Sequence, residues 1–195
     1  SYSPQIHAML GSYGYALFEK EPEALEDFLK NGDFTGLNVT IPYKKDVIPF
    51  LDEVSDRAKR LGAVNTIVRK PDGRLIGHNT DYFGFETMLA DSGIDMQGKK
   101  ALVCGSGGVS NTAVAVLREH GAHVVILSRS GPDNYQNLER HTDAALIVNA
   151  TPVGMYPNVD GAAIEDLSLF PKLEGVLDLI YNPARTKILL AAEKQ

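Results

Sequence analysis

Ala101-Leu102-Val103-Cys104-Gly105-Ser106-Gly107-Gly108 decides how the second half of the chain is read. Four apolar residues in a row fit a strand covered on both faces, because a strand with one wet face alternates. The glycines that follow let the backbone turn tightly and come close to a ligand. Residues 111–120 then read as a helix, whose N-terminus offers free N–H groups to an anion. The spacing Gly-x-Gly-Gly departs from the common Gly-x-Gly-x-x-Gly pattern, and a tight turn alone is the competing reading. The strand-to-helix setting is what favours a nucleotide site at Gly105, Ser106, Gly107, Gly108 and Val109.

Working outward, residues 124–127, 145–148 and 175–180 repeat the continuous apolar run. With helical or short connecting segments between them, they predict a βαβ series, a doubly wound α/β domain. Residues 131–143 are too few, with Pro132 and Asn134 among them, for a full helix, so a loop or single turn is expected there. The strand ending at Leu127 is followed by Ser128-Arg129-Ser130. An NAD site places Asp or Glu about 20 residues past the glycine loop. An arginine between two hydroxyls suits a 2′-phosphate instead, so NADP(H) is the expected cofactor, with a solvated loop arginine as the alternative.

The first half is organised differently. Residues 15–18 and 36–41 read as strands, with Pro42 ending the second ladder. Residues 22–30 read as a helix with Leu25, Phe28 and Leu29 on its apolar face, and 46–52 and 55–61 as two helical pieces. A hairpin joins 65–69 to 74–77 through Lys70-Pro71-Asp72-Gly73. Residues 82–90 form a helix with Phe83, Phe85 and Leu89 apolar, and Ser92-Gly93-Ile94-Asp95 breaks the pattern. The expected division is therefore 1–94 and 95–195.

Composition narrows the partners. A net charge of -6 and a pI near 5.3 disfavour nucleic acid, which needs clustered Lys and Arg. No apolar run approaches the roughly 20 residues that span a bilayer. The single cysteine, Cys104, excludes an internal disulfide and suits a reducing cytoplasm, with a core role for the thiol itself. The five histidines show no metal-ligand spacing, so no metal is expected. Oligomeric state is not legible.

Ser1-Tyr2-Ser3-Pro4, Asn38-Val39-Thr40-Ile41-Pro42-Tyr43-Lys44, Gly62-Ala63-Val64-Asn65-Thr66 and Asn79-Thr80-Asp81 occur in that order. Gly105 to Val109, Asn149-Ala150-Thr151-Pro152-Val153-Gly154-Met155 and Asp178-Leu179-Ile180-Tyr181 follow. This ordered set resembles the shikimate dehydrogenase family over nearly the whole chain. The resemblance implies an N-terminal α/β substrate domain and a C-terminal Rossmann-like NADP-binding domain. It also implies reversible reduction of 3-dehydroshikimate to shikimate in aromatic amino-acid synthesis.

By the same resemblance Lys44 is the catalytic lysine and Asp81 its carboxylate partner. Ser1, Ser3, Asn38, Thr40, Asn65 and Thr80 match residues that bond the substrate's hydroxyls and carboxylate. Tyr181 matches a residue at the substrate edge, Leu179 one near the nicotinamide, and Thr151 lies in a cofactor-domain motif. Taken alone, Lys44 reads as a solvated lysine, Asp81 as a helix cap, and Ser3 and Asn65 as turn formers. His7, in Ser-x-Ser-Pro-x-x-His, is expected to pack rather than react.

Against the family pattern, the chain starts at the substrate serines, so the family's first strand is expected to be missing. It ends at Gln195, ahead of the closing helices and their substrate-contacting glutamine, which Gln195 does not match. A quinate-using or NAD-accepting paralogue and a non-catalytic ligand sensor are the rival readings. A related folate dehydrogenase is disfavoured by the Ser-x-Ser-Pro and Asn-Thr-Asp motifs.

Overall fold

The computed structural model describes residues 2–195. Two four-stranded sheets organise them. The first is mixed, in the order β1-β3-β4-β2 (Gly36–Asn38, Thr66–Arg69, Leu75–His78 and Glu53–Val54). Its centre is the expected hairpin, with β1 antiparallel to β3 and β2 parallel to β4. Helices α1 (Ser3–Leu10), α2 (Leu25–Asn31) and α3 (Asp56–Leu61) accompany it. Leu25 and Leu29 of α2 pack with Val47, Ala58, Val64, Ile67 and Leu75 into one core. Arg69 locks α2 to the sheet: its guanidinium donates to the carbonyls of Leu29, Gly32 and Phe34 and lies over the Phe34 ring. The last carbonyls of a helix have no partner within it, and Arg69 supplies one.

The second sheet is parallel throughout, in the order β6-β5-β7-β8 (His123–Leu127, Lys100–Cys104, Ala144–Asn149 and Gly175–Asp178). Successive β5 side chains enter opposite cores, which is why its sequence is continuously apolar. Ala101 and Val103 face α4 (Asp81–Ser92) and α5 (Gly108–Glu119). Leu102 and Cys104 face Ile164, Leu167, Phe170 and Ile188, the last from α6 (Lys187–Ala192). With both faces covered, this is the doubly wound α/β architecture expected. Residues 131–143 hold one 3-10 turn, Leu138–His141, as the short connection predicts.

Several expectations are corrected. Residues 15–18 are not a strand; no ladder partner meets them among the described residues, and Leu17 and Phe18 are exposed. The strand expected over 36–41 stops at Asn38, three residues short of Ile41. Residues 46–52 form turns and the 3-10 segment Ile48–Phe50, after which β2 appears unanticipated. Phe83 is exposed, and Tyr82 takes its place on the buried face of α4 with Phe85 and Leu89. Ser1 lies outside the described residues.

Candidate active site

The edge of the first sheet where β1 and β4 end and β3 begins assembles the polar cluster. Lys44 follows β1 in a run of tight turns, held by Val64 N–H donating to its carbonyl at 2.7 Å and by buried Val47 three residues on. Asp81 is the first residue of α4. Its side chain does not cap that helix; Asn79 does, its Oδ1 accepting from Tyr82 N while its Nδ2 donates to the Ala63 carbonyl. Asp81 is thereby left for Lys44, whose Nζ donates to Oδ2 at 2.6 Å across 37 positions of sequence. The pair is partly screened, with side-chain exposures of 19% and 33%. A carboxylate in the first turn of a helix is also favoured by the helix dipole.

Asn65 is buried and ties the surroundings together. Its Nδ2 donates to Thr80 Oγ1, and its Oδ1 accepts from Thr80 N and Thr66 Oγ1. Most of its bonding is thus spent on the scaffold, and one amide hydrogen stays free of protein partners among the described residues. Asn38 reaches α1 through His7, with Nδ2 to Nε2 at 2.8 Å, and so sits on the element that carries Ser3. Thr40 is exposed beside it, its carbonyl accepting from Tyr43 N. Tyr181 belongs to the other half, yet meets Tyr2 edge-on at 6.0 Å, while Asn182 Nδ2 donates to the Tyr2 hydroxyl at 2.6 Å. Among the described residues, no hydrogen bond links Lys44 or Asp81 to the glycine loop.

The glycine loop lies where the strand order reverses, between β5 and β7, the usual ligand position of open parallel sheets. Gly105 has φ +104°, and a Cβ there would stand 2.9 Å from the Ala150 carbonyl oxygen and 3.1 Å from Thr151 Cγ2. Only glycine fits both the angle and the approach. At Gly107 and Gly108 a Cβ would meet nothing within 4 Å, so the loop opens outward. The first turn of α5 has no side-chain cap and no acidic residue, and Ser110 Oγ turns back to the Gly105 carbonyl. Open glycines at an uncapped helix start fit a pyrophosphate. Arg129 is exposed, and among the described residues no carboxylate pairs with it. Ser128 and Ser130 flank it, with Ser128 N held by the Asp133 carbonyl.

A buried network missed in the sequence ties together the loops after β7 and β8. Asp178 accepts from Asn149 Nδ2, from Ile180 N and from Thr186 Oγ1. Asn149 Oδ1 accepts from Thr151 N and Oγ1, and its backbone carbonyl from Leu179 N. The loops carrying Thr151 and Leu179 are therefore fastened to one carboxylate. Asn149 and Asp178 stand in the quoted motifs, but nothing in the sequence marks Thr186 as their partner. An open cleft of about 920 Å³ beside α6, lined by Leu167, Lys187 and Lys194 among others, contains none of these residues.

Among the described residues, no cluster of His, Cys, Asp or Glu could hold a metal ion, and no helix is long and apolar enough to cross a membrane.

A parallel sheet with a glycine loop at its switch point, beside a mixed sheet bearing a lysine–carboxylate pair, defines a two-part nucleotide-binding α/β protein. The family model for the shikimate dehydrogenase substrate binding domain matches residues 1–67. The shikimate dehydrogenase (NADP(+)) of Clostridium beijerinckii is 37% identical, covering 97% of this chain and 77% of its own length. The chorismate mutase/shikimate 5-dehydrogenase fusion protein of Clostridium acetobutylicum superposes with a TM-score of 0.88 at 34% identity, over 100% of this chain and 78% of its own. The shikimate 5-dehydrogenase of Thermus thermophilus, solved with NADP(H) and shikimate, gives 0.79 at 34%, over 100% and 79%. The chain belongs to the shikimate dehydrogenase family.

Proposed function

We propose that the protein is an NADP-dependent oxidoreductase that reversibly reduces 3-dehydroshikimate to shikimate in aromatic amino-acid biosynthesis. The observation that carries the chemistry is the 2.6 Å Lys44–Asp81 contact in a partly screened position. The cofactor, when bound, supplies or accepts the hydride. In the reducing direction Lys44 Nζ donates to the carbonyl oxygen as negative charge develops there, and in reverse it takes the hydroxyl proton. Asp81 holds the ammonium in position and balances its charge.

Ser3, Asn38, Thr40, Asn65, Thr80 and Tyr181 line the substrate side in this reading, and Ser1 joins them by sequence alone. Gly105, Ser106, Gly107, Gly108 and Val109 receive the pyrophosphate. Ser128, Arg129 and Ser130 take the 2′-phosphate, with Thr151 and Leu179 at the nicotinamide. The partners are small molecules, not nucleic acid or membrane, and the compartment is the cytoplasm; buried, unpaired Cys104 supports that compartment. We place the division between the substrate and cofactor domains at residues 92–95.

Turnover of shikimate and of quinate, each with NADP+ and with NAD+, tests the assignment. Shikimate with NADP+ is expected to give the highest kcat/KM of the four. A clear preference for quinate or for NAD+ contradicts it, and binding of shikimate without any turnover points to the ligand sensor.

A further inference from the structure

Helix α1 buries no side chain, so its apolar residues do not fix its place. One ring does much of that work. His7 stacks on Tyr15 at 4.0 Å and 19°, meets Tyr13 edge-on at 5.8 Å, and bonds through both nitrogens. Nε2 lies 2.8 Å from Asn38 Nδ2, and Nδ1 lies 2.7 Å from the Tyr13 hydroxyl. An amide NH2 only donates, so Nε2 must be the bare, accepting nitrogen and Nδ1 must carry the proton, donated to Tyr13. Asn38 Nδ2 also donates to the Tyr15 hydroxyl at 3.2 Å. Both amide hydrogens are then used. Asn38 Oδ1 has no partner among the described residues, and the residue is exposed. Residues 3–18 and β1 contain no Asp, Glu, Lys or Arg, so the ring's immediate partners are all neutral.

We propose that His7 is a positioning residue: it holds the Asn38 amide so that its oxygen, not its NH2, faces the substrate. An amide oxygen takes a hydrogen from a hydroxyl and repels a carboxylate. Asn38 therefore reads one hydroxyl of a polyhydroxylated acid, and the acid group is bound elsewhere. This rests on the proposed placement of Asn38 at the substrate. His7 itself exchanges no proton with substrate; it acts through Asn38. With the Asn38 amide placed as it is, only one tautomer of the ring satisfies its neighbours, and the reverse tautomer would turn the amide over.

Three variants of the full chain separate the possibilities, with shikimate and NADP+ affinities measured by calorimetry. His7→Leu removes the acceptor and is expected to weaken shikimate about tenfold, the loss of one well-placed bond, while NADP+ binding stays as in the native chain. His7→Gln returns a carbonyl acceptor and should recover affinity to within about threefold. Unchanged shikimate affinity in His7→Leu overturns the proposal, as does His7→Gln binding as weakly as His7→Leu. Asn38→Ala tells the two claims apart. No loss there sinks the placement of Asn38, whereas a loss there without one in His7→Leu sinks only the role of His7. Should His7→Leu not fold, the 15N spectrum of the native chain decides, with the His7 signals assigned by their absence from His7→Gln. A proton on Nδ1 is expected; a proton on Nε2 contradicts the orientation.

Discussion

At the scale of single residues, the candidate site turns on which polar groups are spent on the fold and which are left over. Asp81 and Asn79 stand two positions apart at the start of one helix, and either could have capped it. Asn79 makes the cap, so Asp81 is available to Lys44. The sequence could not make that choice, because Asp and Asn are equally good caps and contacts 37 positions apart leave no local trace. Arg129 is the converse case, singled out by its place after a strand and without a carboxylate partner among the described residues. On the proposed placement at the 2′-phosphate, replacing it with alanine removes a charge-assisted contact. The Arg129→Ala variant is expected to raise KM for NADPH by about tenfold or more and to narrow the preference over NADH, with KM for 3-dehydroshikimate unmoved. Equal cofactor preference in native and variant chains would remove Arg129 from the site.

Among elements, the parallel sheet was the most legible part of the chain. Its strands are buried on both faces and read as unbroken apolar runs, and the four expected ones are present within a residue or two at each end. The mixed sheet was less legible, since β1 and β2 are short and their pairing depends on distant residues. Strand propensity at residues 15–18 misled for the same reason: a strand needs a neighbour to bond. Tertiary polar networks escaped altogether, and Asn149–Asp178–Thr186 is the clearest case. The Thr186→Val variant keeps the shape of a fully buried side chain but leaves Asp178 one donor short. It is expected to cost about 1–3 kcal/mol in urea unfolding, the usual penalty for an unsatisfied buried group. Loosening of the Thr151 and Leu179 loops should also raise KM for NADPH. Unchanged stability would mean the network is dispensable.

At the scale of the whole molecule, α4 joins the two sheets. Its first residue, Asp81, faces Lys44, while Tyr82, Phe85 and Leu89 lie in the core of the parallel sheet with α5. The Tyr82 hydroxyl donates to Glu119 at the far end of α5, and Glu119 also accepts from Arg60 of α3. Burial, reinforced by the Glu119 bond, pushes the Tyr82 phenol up to about 12. Burial likewise raises the Cys104 thiol and the Tyr135 phenol to about 12. All three are neutral when protonated and have folded values above their ordinary 9.0 to 10.0. Their contribution to stability is therefore complete below about pH 9 and is lost as pH rises towards 12. Stability measured across that window should fall steeply in the native chain and less steeply in Tyr82→Phe; identical slopes would place the Tyr82 hydroxyl outside this linkage.

In the proposed reaction Lys44 moves the proton during a hydride transfer for which the rest of the site only positions the reactants. The most direct test is the initial rate of NADPH oxidation on adding 3-dehydroshikimate, in the native chain and in Lys44→Ala, with shikimate affinity measured on both. The native chain is expected to turn over. The variant should lose about 10²- to 10⁴-fold in kcat, as removal of a general acid–base does, while its shikimate affinity changes little. Native turnover preserved in Lys44→Ala would contradict the account.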